Sequence, residues 1–206
     1  MTVFYHREDV PAAVDFGSVV AVDTETMGLS LQRDRLCVVQ LSAGDGDAHV
    51  VHLAAGPEQA DKAPNLKRLF ADPKVVKLFH FARFDVGMIR RHLGVRCQPV
   101  WCTKIASKLT RTNTDRHGLK DLCRDLIGVE LSKQQQTSDW GADELNADQL
   151  AYAASDVLYL HRLKEKLEGL LDREDRRFLA EACFRFLPDR ADLDLAGWPD
   201  EDIFAH

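Results

Sequence analysis

Short apolar runs separated by turn residues occupy the first half of the chain, and they predict β-strands. Residues 19–23 form one such run, which ends in the turn Asp-Thr-Glu-Thr, and the β-branched segment 36–42 forms the next. Residues 43–47 alternate glycine with aspartate and predict a turn, after which residues 48–53 again predict a strand. A further buried strand is predicted over residues 75–80. We therefore expect a meander of three strands followed by one more strand.

Helical patterns dominate the second half of the chain. The predicted helices cover residues 65–71, 85–93, 103–109, 118–127 and 147 to about 171. Gly94 and Gly128 are expected to end the second and the fourth of these. Asn146 and Gln149 have the spacing of a capping box in front of the last helix. Its apolar stripe consists of Leu150, Val157, Leu160, Leu163 and Leu167. Strands first and helices later predict an α/β fold in which helices cover one sheet.

The chain has 206 residues, 45% of them hydrophobic, which is enough for one well-filled core and short for two. We therefore expect a single domain, with its core at about residues 17–171 and a C-terminal helix and acidic tail over residues 172–206. The stretch from Pro188 is expected either to be loose or to dock through Trp198 and Phe204.

The five cysteines are scattered and never spaced as Cys-x-x-Cys, which argues against a disulfide framework and a zinc site. No apolar stretch approaches the roughly 20 residues of a membrane span. The amino terminus also lacks the basic and then apolar pattern of a secretion signal. We therefore expect a soluble cytoplasmic protein with reduced thiols and no membrane partner.

The chain carries a formal net charge of -6 and has a pI near 5.7, so a broad basic face that grips long duplexes is not expected. An enzyme that handles only the end of a strand needs few basic residues, because it neutralises few phosphates. The charge therefore disfavours extended duplex binding and leaves strand-end chemistry open.

Four acidic residues in three separated segments are the most informative chemical feature: Asp23, Glu25, Asp85 and Asp156. Each follows or lies within an apolar run, where an unpaired carboxylate would be costly to bury, so a pair of divalent cations is the expected partner. Side chains alternate along an extended segment, so Asp23 and Glu25 point to one side while Thr24 points away. Taken alone, the Asp-x-Glu pair is more typical of a solvated strand end, and Asp85 also suits the start of a helix.

Tyr152 and Asp156 are four residues apart on the predicted long helix and therefore share one face. A phenol beside a metal-bound carboxylate can orient or deprotonate a water molecule. Tyr5 and Asp9 have the same spacing. They precede any predicted strand and lie among charged residues, so we interpret that pair as a surface coincidence.

The order of these motifs indicates one group of enzymes. An Asp-x-Glu pair ends the first strand, an aspartate follows a later strand, and Tyr-x-x-x-Asp lies on a late helix. In this respect residues 19–160 resemble the DEDD 3′-to-5′ exonucleases of the tyrosine subgroup, and most closely ribonuclease D. The resemblance rests on the stretches VDTETMGL, HFARFD, GLKDLCRDLIGVELSKQQQTSDW and QLAYAASDVLYL. The histidine subgroup has a histidine five residues before the last aspartate, where this chain has Ala151.

The resemblance implies a ribonuclease H-like α/β fold, a mixed sheet flanked by helices with a helical C-terminal half. It further implies that the four acids hold two Mg²⁺ or Mn²⁺ ions, which suit hard oxygen ligands. Two such ions activate water on one side of a phosphodiester and stabilise the leaving 3′ oxygen on the other. Tyr152 is then expected to position the attacking water, and the product is a nucleoside 5′-monophosphate released from a 3′ end.

The same resemblance implies a set of substrate contacts: Thr26, Met27, Leu29, His80, Phe84, Lys133 and Gln136. The first three match positions that hold or wedge the terminal nucleotide, although an ordinary turn explains them equally well. His80 and Phe84 are expected to line the pocket, with core packing as the alternative. Lys133, Gln136 and Trp140 match a Lys-x-x-Gln-x-Ser-Asp-Trp pattern that implies a role at the phosphate or in a helical lid. A solvated lysine and a packed tryptophan are the alternative there.

Two departures from ribonuclease D bear on substrate binding. Ribonuclease D proteins often carry helical nucleic-acid-binding domains after the nuclease, and none is expected here. Asp143 and Glu144 stand where relatives usually have Arg-Pro, so one phosphate contact is expected to be missing.

Three functions are compatible with these residues. The leading one is trimming of RNA 3′ ends, single-stranded or with a 3′ overhang, in substrates such as tRNA precursors or other structured RNA. A second keeps the chemistry and changes the polymer to DNA, since no residue decisively reads a 2′-hydroxyl. A third is a non-catalytic RNA-binding adaptor. It is disfavoured because such proteins usually lose a ligand, and this chain has all four acids and the tyrosine. The sequence leaves the oligomeric state open.

Overall fold

A mixed sheet of six strands forms the centre of the molecule in the computed structural model, which describes residues 2–56, 59–131 and 137–205. The strands are β1 (Val3–Arg7), β2 (Val19–Thr26), β3 (Leu36–Ser42), β4 (Ala48–His52), β5 (Val76–Phe79) and β6 (Val100–Cys102). Their order across the sheet is β1-β4-β3-β2-β5-β6. β2, β3 and β4 pair antiparallel in chain order, which confirms the predicted meander.

Parallel pairing on both sides of the meander completes the sheet. β1 pairs with β4, β5 with β2, and β6 with β5. Because β2 and β5 run in the same direction, their carboxyl ends lie at the same edge of the sheet. The acidic segment of β2 is therefore next to the segment that follows β5.

Helices cover the sheet and dominate the second half of the chain, as predicted. They are α1 (Gln59–Lys62), α2 (Pro64–Ala71), α3 (Ala82–Leu93), α4 (Thr103–Thr110), α5 (Leu119–Leu122), a π-helical turn (Cys123–Ile127), α6 (Ala147–Leu158), α7 (Leu160–Arg173) and α8 (Arg177–Ala196). Gly94 and Gly128 end α3 and the π-helical turn with φ angles of 65° and 68°, a conformation that favours glycine. Asn146 and Gln149 form the predicted capping box of α6. Within the described ranges, none of the helices combines the length and the apolar character that crossing a membrane requires.

Different helices approach β2 from the two faces of the sheet. Ala153 of α6 packs in one apolar cluster with Val38 and Val50. Val86 of α3 belongs to a second cluster, which contains Val22. α6 and α3 both contact β2.

Two predictions about the strands are wrong. The apolar pattern does not predict β1, yet Tyr5 lies within it and shares a hydrogen bond of 2.8 Å with Nδ1 of His52. β1 is an edge strand with mostly exposed side chains, so it lacks the apolar run on which strand prediction depends. β2 continues to Thr26, so the Asp-Thr-Glu-Thr segment is a strand paired with β3 and not a turn.

The predicted long helix is two helices. Tyr159, with φ -106° and ψ -4°, separates α6 from α7. α6 packs against β1 to β4, whereas α7 packs against α4 and the π-helical turn. The chain therefore changes direction between two packing surfaces that one straight helix would not reach. The predicted helix over residues 118–127 likewise changes to π-helical geometry after Leu122.

The first part of the acidic C-terminal stretch is helical, because α8 continues through Pro188 to Ala196. Asp194 near the end of α8 is buried and pairs with Arg83 and Arg190, each at 2.6 Å. These two ion pairs offset the cost of burying the carboxylate, which composition alone does not reveal. After α8, the ring of Phe204 stays largely exposed, 6.1 Å from the ring of Phe186.

Candidate active site

Three carboxylates converge where α6 crosses the end of β2. Asp23 and Glu25 alternate with Thr24 along β2, and Asp156 extends from α6. One oxygen from each lies within 4.8 Å of the other two. All three side chains are half-buried, so the group remains accessible while protein surrounds most of it. In the part of the chain that the structure describes, no other group of three His, Cys, Asp or Glu side chains has this spacing.

Asp85 reaches the same region from the other side of β2. It lies in the first turn of α3, which begins at Ala82 and not at Asp85 as predicted. The carboxylate is buried and accepts a hydrogen bond of 2.5 Å from Oγ1 of Thr24. Because Thr24 alternates with the two acids of β2, this bond places Asp85 beside the strand and not within the group of three.

Burial raises the pKa values of all four acids, and repulsion from neighbouring carboxylates adds to the rise for Glu25, Asp85 and Asp156. Burial raises the pKa of Asp23 to about 7, against a hydrogen bond from the Thr24 backbone that lowers it. Burial, and then the charge of Asp23, raises the pKa of Asp156 to about 8. The pKa of Glu25 rises to about 10, because the charges of all three aspartates add to the effect of burial. The pKa of Asp85 is also raised well above its usual value, first by burial and then by Asp23.

This set of donors fits a divalent metal ion. Without a cation the carboxylates retain protons at neutral pH, because carboxylates this close together cannot all ionise. A bound divalent cation offsets that repulsion, and carboxylate oxygens are the ligands that Mg²⁺ and Mn²⁺ prefer. The oxygens of Asp23, Glu25 and Asp156 are close enough to share one ion.

Tyr152 lies one turn before Asp156 on α6, so its hydroxyl is on the same face of the helix as the Asp156 carboxylate. Burial and the neighbouring negative charges raise the pKa of the phenol well above its usual value. The phenol therefore stays protonated at neutral pH. That state suits a hydrogen-bond donor that orients a water molecule, and it does not suit a base that removes the proton.

Gln40 belongs to the site and has no signal in the sequence. It lies on β3 directly opposite Asp23 and is completely buried. Its Nε2 donates a hydrogen bond of 3.5 Å to Oε1 of Glu25, whereas its own Oε1 has no partner among the described residues. Burying an amide with an unpaired oxygen costs free energy of folding. The presence of Gln40 is therefore better explained by its hydrogen bond to Glu25 than by a contribution to stability. Only the register of β2 and β3 shows the contact, because an isolated glutamine in an apolar strand indicates nothing specific.

A cleft of about 430 Å³ lies between the turn after β2, the start of α3 and the segment after α8. One side is formed by Leu29, which is 86% exposed, with Phe81 and Phe84 at the start of α3. Pro199 and Asp200 of the segment after α8 line the other side. The predicted substrate residues Leu29 and Phe84 therefore share one cleft, and the C-terminal segment adds a wall that sequence patterns do not predict.

Thr26 and Met27 shape the turn that follows β2. Oγ1 of Thr26 donates a hydrogen bond of 2.5 Å to the Gly28 carbonyl. Met27 is half-exposed and packs on Gly141, where a Cβ atom would lie 2.2 Å from the methionine sulfur. Nη2 of Arg35, the residue before β3, donates a hydrogen bond of 3.0 Å to the Gly141 carbonyl and so attaches that loop to the start of β3. A larger residue at position 141 would therefore have to displace the Met27 side chain.

His80 is not among the residues that line this cleft. It shares a hydrogen bond of 2.8 Å with Oγ1 of Thr103, and burial lowers its pKa to about 3. The ring is therefore neutral and cannot bind phosphate as a cation. Lys133 and Gln136 lie outside the described residues. Trp140 is buried with its ring 6.0 Å from that of Tyr152, which agrees with the packing alternative.

A family model described as 3′-5′ exonuclease matches residues 7–172, a segment that contains all four acids and Tyr152. The chain belongs to the 3′-5′ exonuclease family. The family assignment confirms the resemblance drawn from the acidic motifs.

Two curated relatives match this chain over part of their own length. Ribonuclease D of Acidiphilium cryptum is 38% identical over 157 residues, which are 76% of this chain and 39% of that protein. The chain thus spans about two fifths of the length of the ribonuclease D proteins it matches. DNA polymerase I of Aquifex aeolicus is 34% identical over 154 residues, which are 75% of this chain and 24% of that protein.

Solved structures of Brucella melitensis NrnC match this chain over its whole length. The structure of NrnC bound to pGG is 56% identical, with a TM-score of 0.95, and the match covers 100% of this chain and 99% of that one. The structure of NrnC with bound Mg²⁺ is 55% identical, with a TM-score of 0.94, and the match covers 100% of both chains. These neighbours confirm the predicted ribonuclease H-like fold class.

Proposed function

We propose that this protein is a metal-dependent 3′-5′ exoribonuclease that releases nucleoside 5′-monophosphates. The proposal rests on the oxygens of Asp23, Glu25 and Asp156, which lie within 4.8 Å of one another. Membership of the exonuclease family supports the reaction, and the Mg²⁺ in the NrnC structure supports a divalent cofactor.

Each site residue has a defined task in this reaction. Asp23, Glu25 and Asp156 would hold one Mg²⁺ or Mn²⁺ ion, and Asp85 would hold the second. When bound, two divalent ions activate the attacking water and stabilise the leaving 3′ oxygen. Tyr152 keeps its proton and orients that water through its hydroxyl.

Short 5′-phosphorylated RNA is the substrate class that the comparisons favour. NrnC has been solved bound to pGG, a guanosine dinucleotide with a 5′ phosphate, and it matches this chain over its whole length. The match to ribonuclease D covers only part of that protein. The cleft of about 430 Å³ is also within the size range of small-ligand sites. The 3′ ends of structured RNA in the cytoplasm are the second substrate class.

DNA is the alternative polymer. DNA polymerase I of Aquifex aeolicus matches three quarters of this chain, so the same fold and acids are compatible with a DNA end. An adaptor that binds RNA without cutting it is disfavoured, because all four acids and Tyr152 are present.

A direct assay separates these functions. The purified protein is incubated with pGG, a 5′-labelled RNA and the matched DNA, each in Mg²⁺, Mn²⁺ or EDTA. We expect GMP from pGG and a one-nucleotide ladder on RNA in either metal, and no product in EDTA. Equal ladders on DNA would favour the alternative polymer, and binding without cleavage would contradict the proposal. The Asp156→Ala variant in parallel excludes a contaminating nuclease.

Tyr152→Phe is expected to lower kcat by about a hundredfold, the lower end of the range for positioned proton-handling groups. The dissociation constant for Mg²⁺ should stay within about twofold, since the phenol is not a ligand, and isothermal titration calorimetry measures it directly. Wild-type kcat in this variant would assign the orientation of water to the metal ions alone.

A further inference from the structure

Phe81 has a backbone conformation that its side chain does not favour. It precedes α3 with φ 64° and ψ 44°, the left-handed region that glycine or asparagine usually occupies. Its large ring is 48% exposed, and the residue provides no side-chain hydrogen bond to cap α3. A strained and exposed aromatic residue at a helix start is unfavourable for stability, which indicates a role in function.

The surroundings of Phe81 suit a nucleotide. The ring lines the cleft together with Leu29 and Phe84, four residues before Asp85. Nζ of Lys104 lies over the ring, 3.8 Å from its centroid. Lys104 has no carboxylate partner among the described residues, so a positive charge stands next to an open aromatic surface without being neutralised.

We propose that Phe81 is a stacking platform for the base on the 5′ side of the scissile bond, with Lys104 supplying positive charge beside it. The inference rests on the proposed function. Aromatic rings hold nucleobases by stacking, and adjacent cations attract the phosphate backbone. Thr26 ends β2, Met27 and Leu29 follow it, and all three are expected to hold the 3′-terminal nucleotide. Phe81 lies at the start of α3 and is therefore available for the nucleotide before it.

Two substrates distinguish an effect on base stacking at Phe81 from an effect on the cleavage reaction itself. pGG has a nucleotide on each side of the bond that is cut. The 4-nitrophenyl ester of a nucleoside 5′-monophosphate has a nitrophenyl group in place of the 5′-side nucleotide, so it reports on the metal site and the terminal nucleotide only. Loss of a stacking contact at Phe81 should therefore weaken the hydrolysis of pGG and leave the hydrolysis of the ester unchanged.

Phe81→Asn is the main variant, because asparagine tolerates a positive φ and caps helices well. We expect a higher melting temperature, a KM for pGG raised about tenfold or more, and kcat/KM for the ester within about twofold of wild type. Phe81→Trp should keep the wild-type KM for pGG. Lys104→Gln should raise that KM a few fold and weaken its dependence on salt. Phe178→Asn, at an exposed phenylalanine of α8, is the matched control. It should leave the kinetic constants for both substrates unchanged.

A wild-type KM for pGG in folded Phe81→Asn would overturn the inference, and so would an equal loss on both substrates. Circular dichroism confirms that each variant is folded, and Phe81→Gly, which also relieves the backbone, provides a second test if Phe81→Asn does not fold. Failure of the wild-type protein to hydrolyse either substrate in Mg²⁺ or Mn²⁺ would instead contradict the proposed function.

Discussion

Replacing Asp156 by alanine is expected to lower the rate of pGG hydrolysis more than about a thousandfold, because losing a metal ligand removes about 4 kcal/mol or more of transition-state stabilisation. The same change should raise the melting temperature in EDTA. Asp156 is crowded by Asp23 and held away from water, and both effects disfavour its ionised form. Relief of about 1–2 kcal/mol corresponds to an increase of roughly 2–8 °C for a chain of this size.

The control for this variant is Asp148→Ala. Asp148 lies on the same helix, in the exposed first turn, where a carboxylate interacts favourably with the helix dipole. Its removal should leave activity unchanged and lower the melting temperature slightly. Hydrolysis by Asp156→Ala at more than a tenth of the wild-type rate, or a lower melting temperature in EDTA, would contradict the assignment of Asp156 as a clustered metal ligand.

The metal-free protein is expected to lose stability as the pH rises, and Mg²⁺ is expected to cancel that loss. The folded pKa values of Asp23, Asp156 and Glu25 are raised to about 7, 8 and 10. The folded state therefore binds more protons than the unfolded state between about pH 4 and about pH 10, and stability falls with pH across this window. Bound Mg²⁺ replaces the protons, so its stabilising effect should grow with pH.

Melting temperatures from about pH 5 to about pH 9, in EDTA and in excess Mg²⁺, measure this linkage. The difference between the two curves should be small at the acidic end and largest at the alkaline end. Asp23→Asn removes one titrating acid and should flatten the EDTA curve. Parallel curves for the wild-type protein would show that the carboxylates do not exchange protons for metal, and the site would need another explanation.

The sequence predicts the chemistry of the site better than its geometry. Asp23, Glu25 and Tyr152 can be identified because residue type and spacing repeat along a strand or a helix. The position of Asp85 in the site cannot be derived from local spacing, because it depends on a hydrogen bond to Thr24, which is 61 residues away in the chain. Its assignment to a second metal ion remains a prediction.

Side-chain periodicity and residue type are local properties, so the alternation along β2, the meander, the capping box of α6 and the identity of the acids can be derived from the chain alone. Contacts between distant segments decided the rest. The support of Glu25 by Gln40 depends on strand register, the burial of Asp194 depends on Arg83, 111 residues away, and the exposure of Phe81 depends on the cleft around it. Each of these features depends on a balance between desolvation, pairing and strain, which arises only when the segments are packed together. Local sequence patterns therefore cannot predict them.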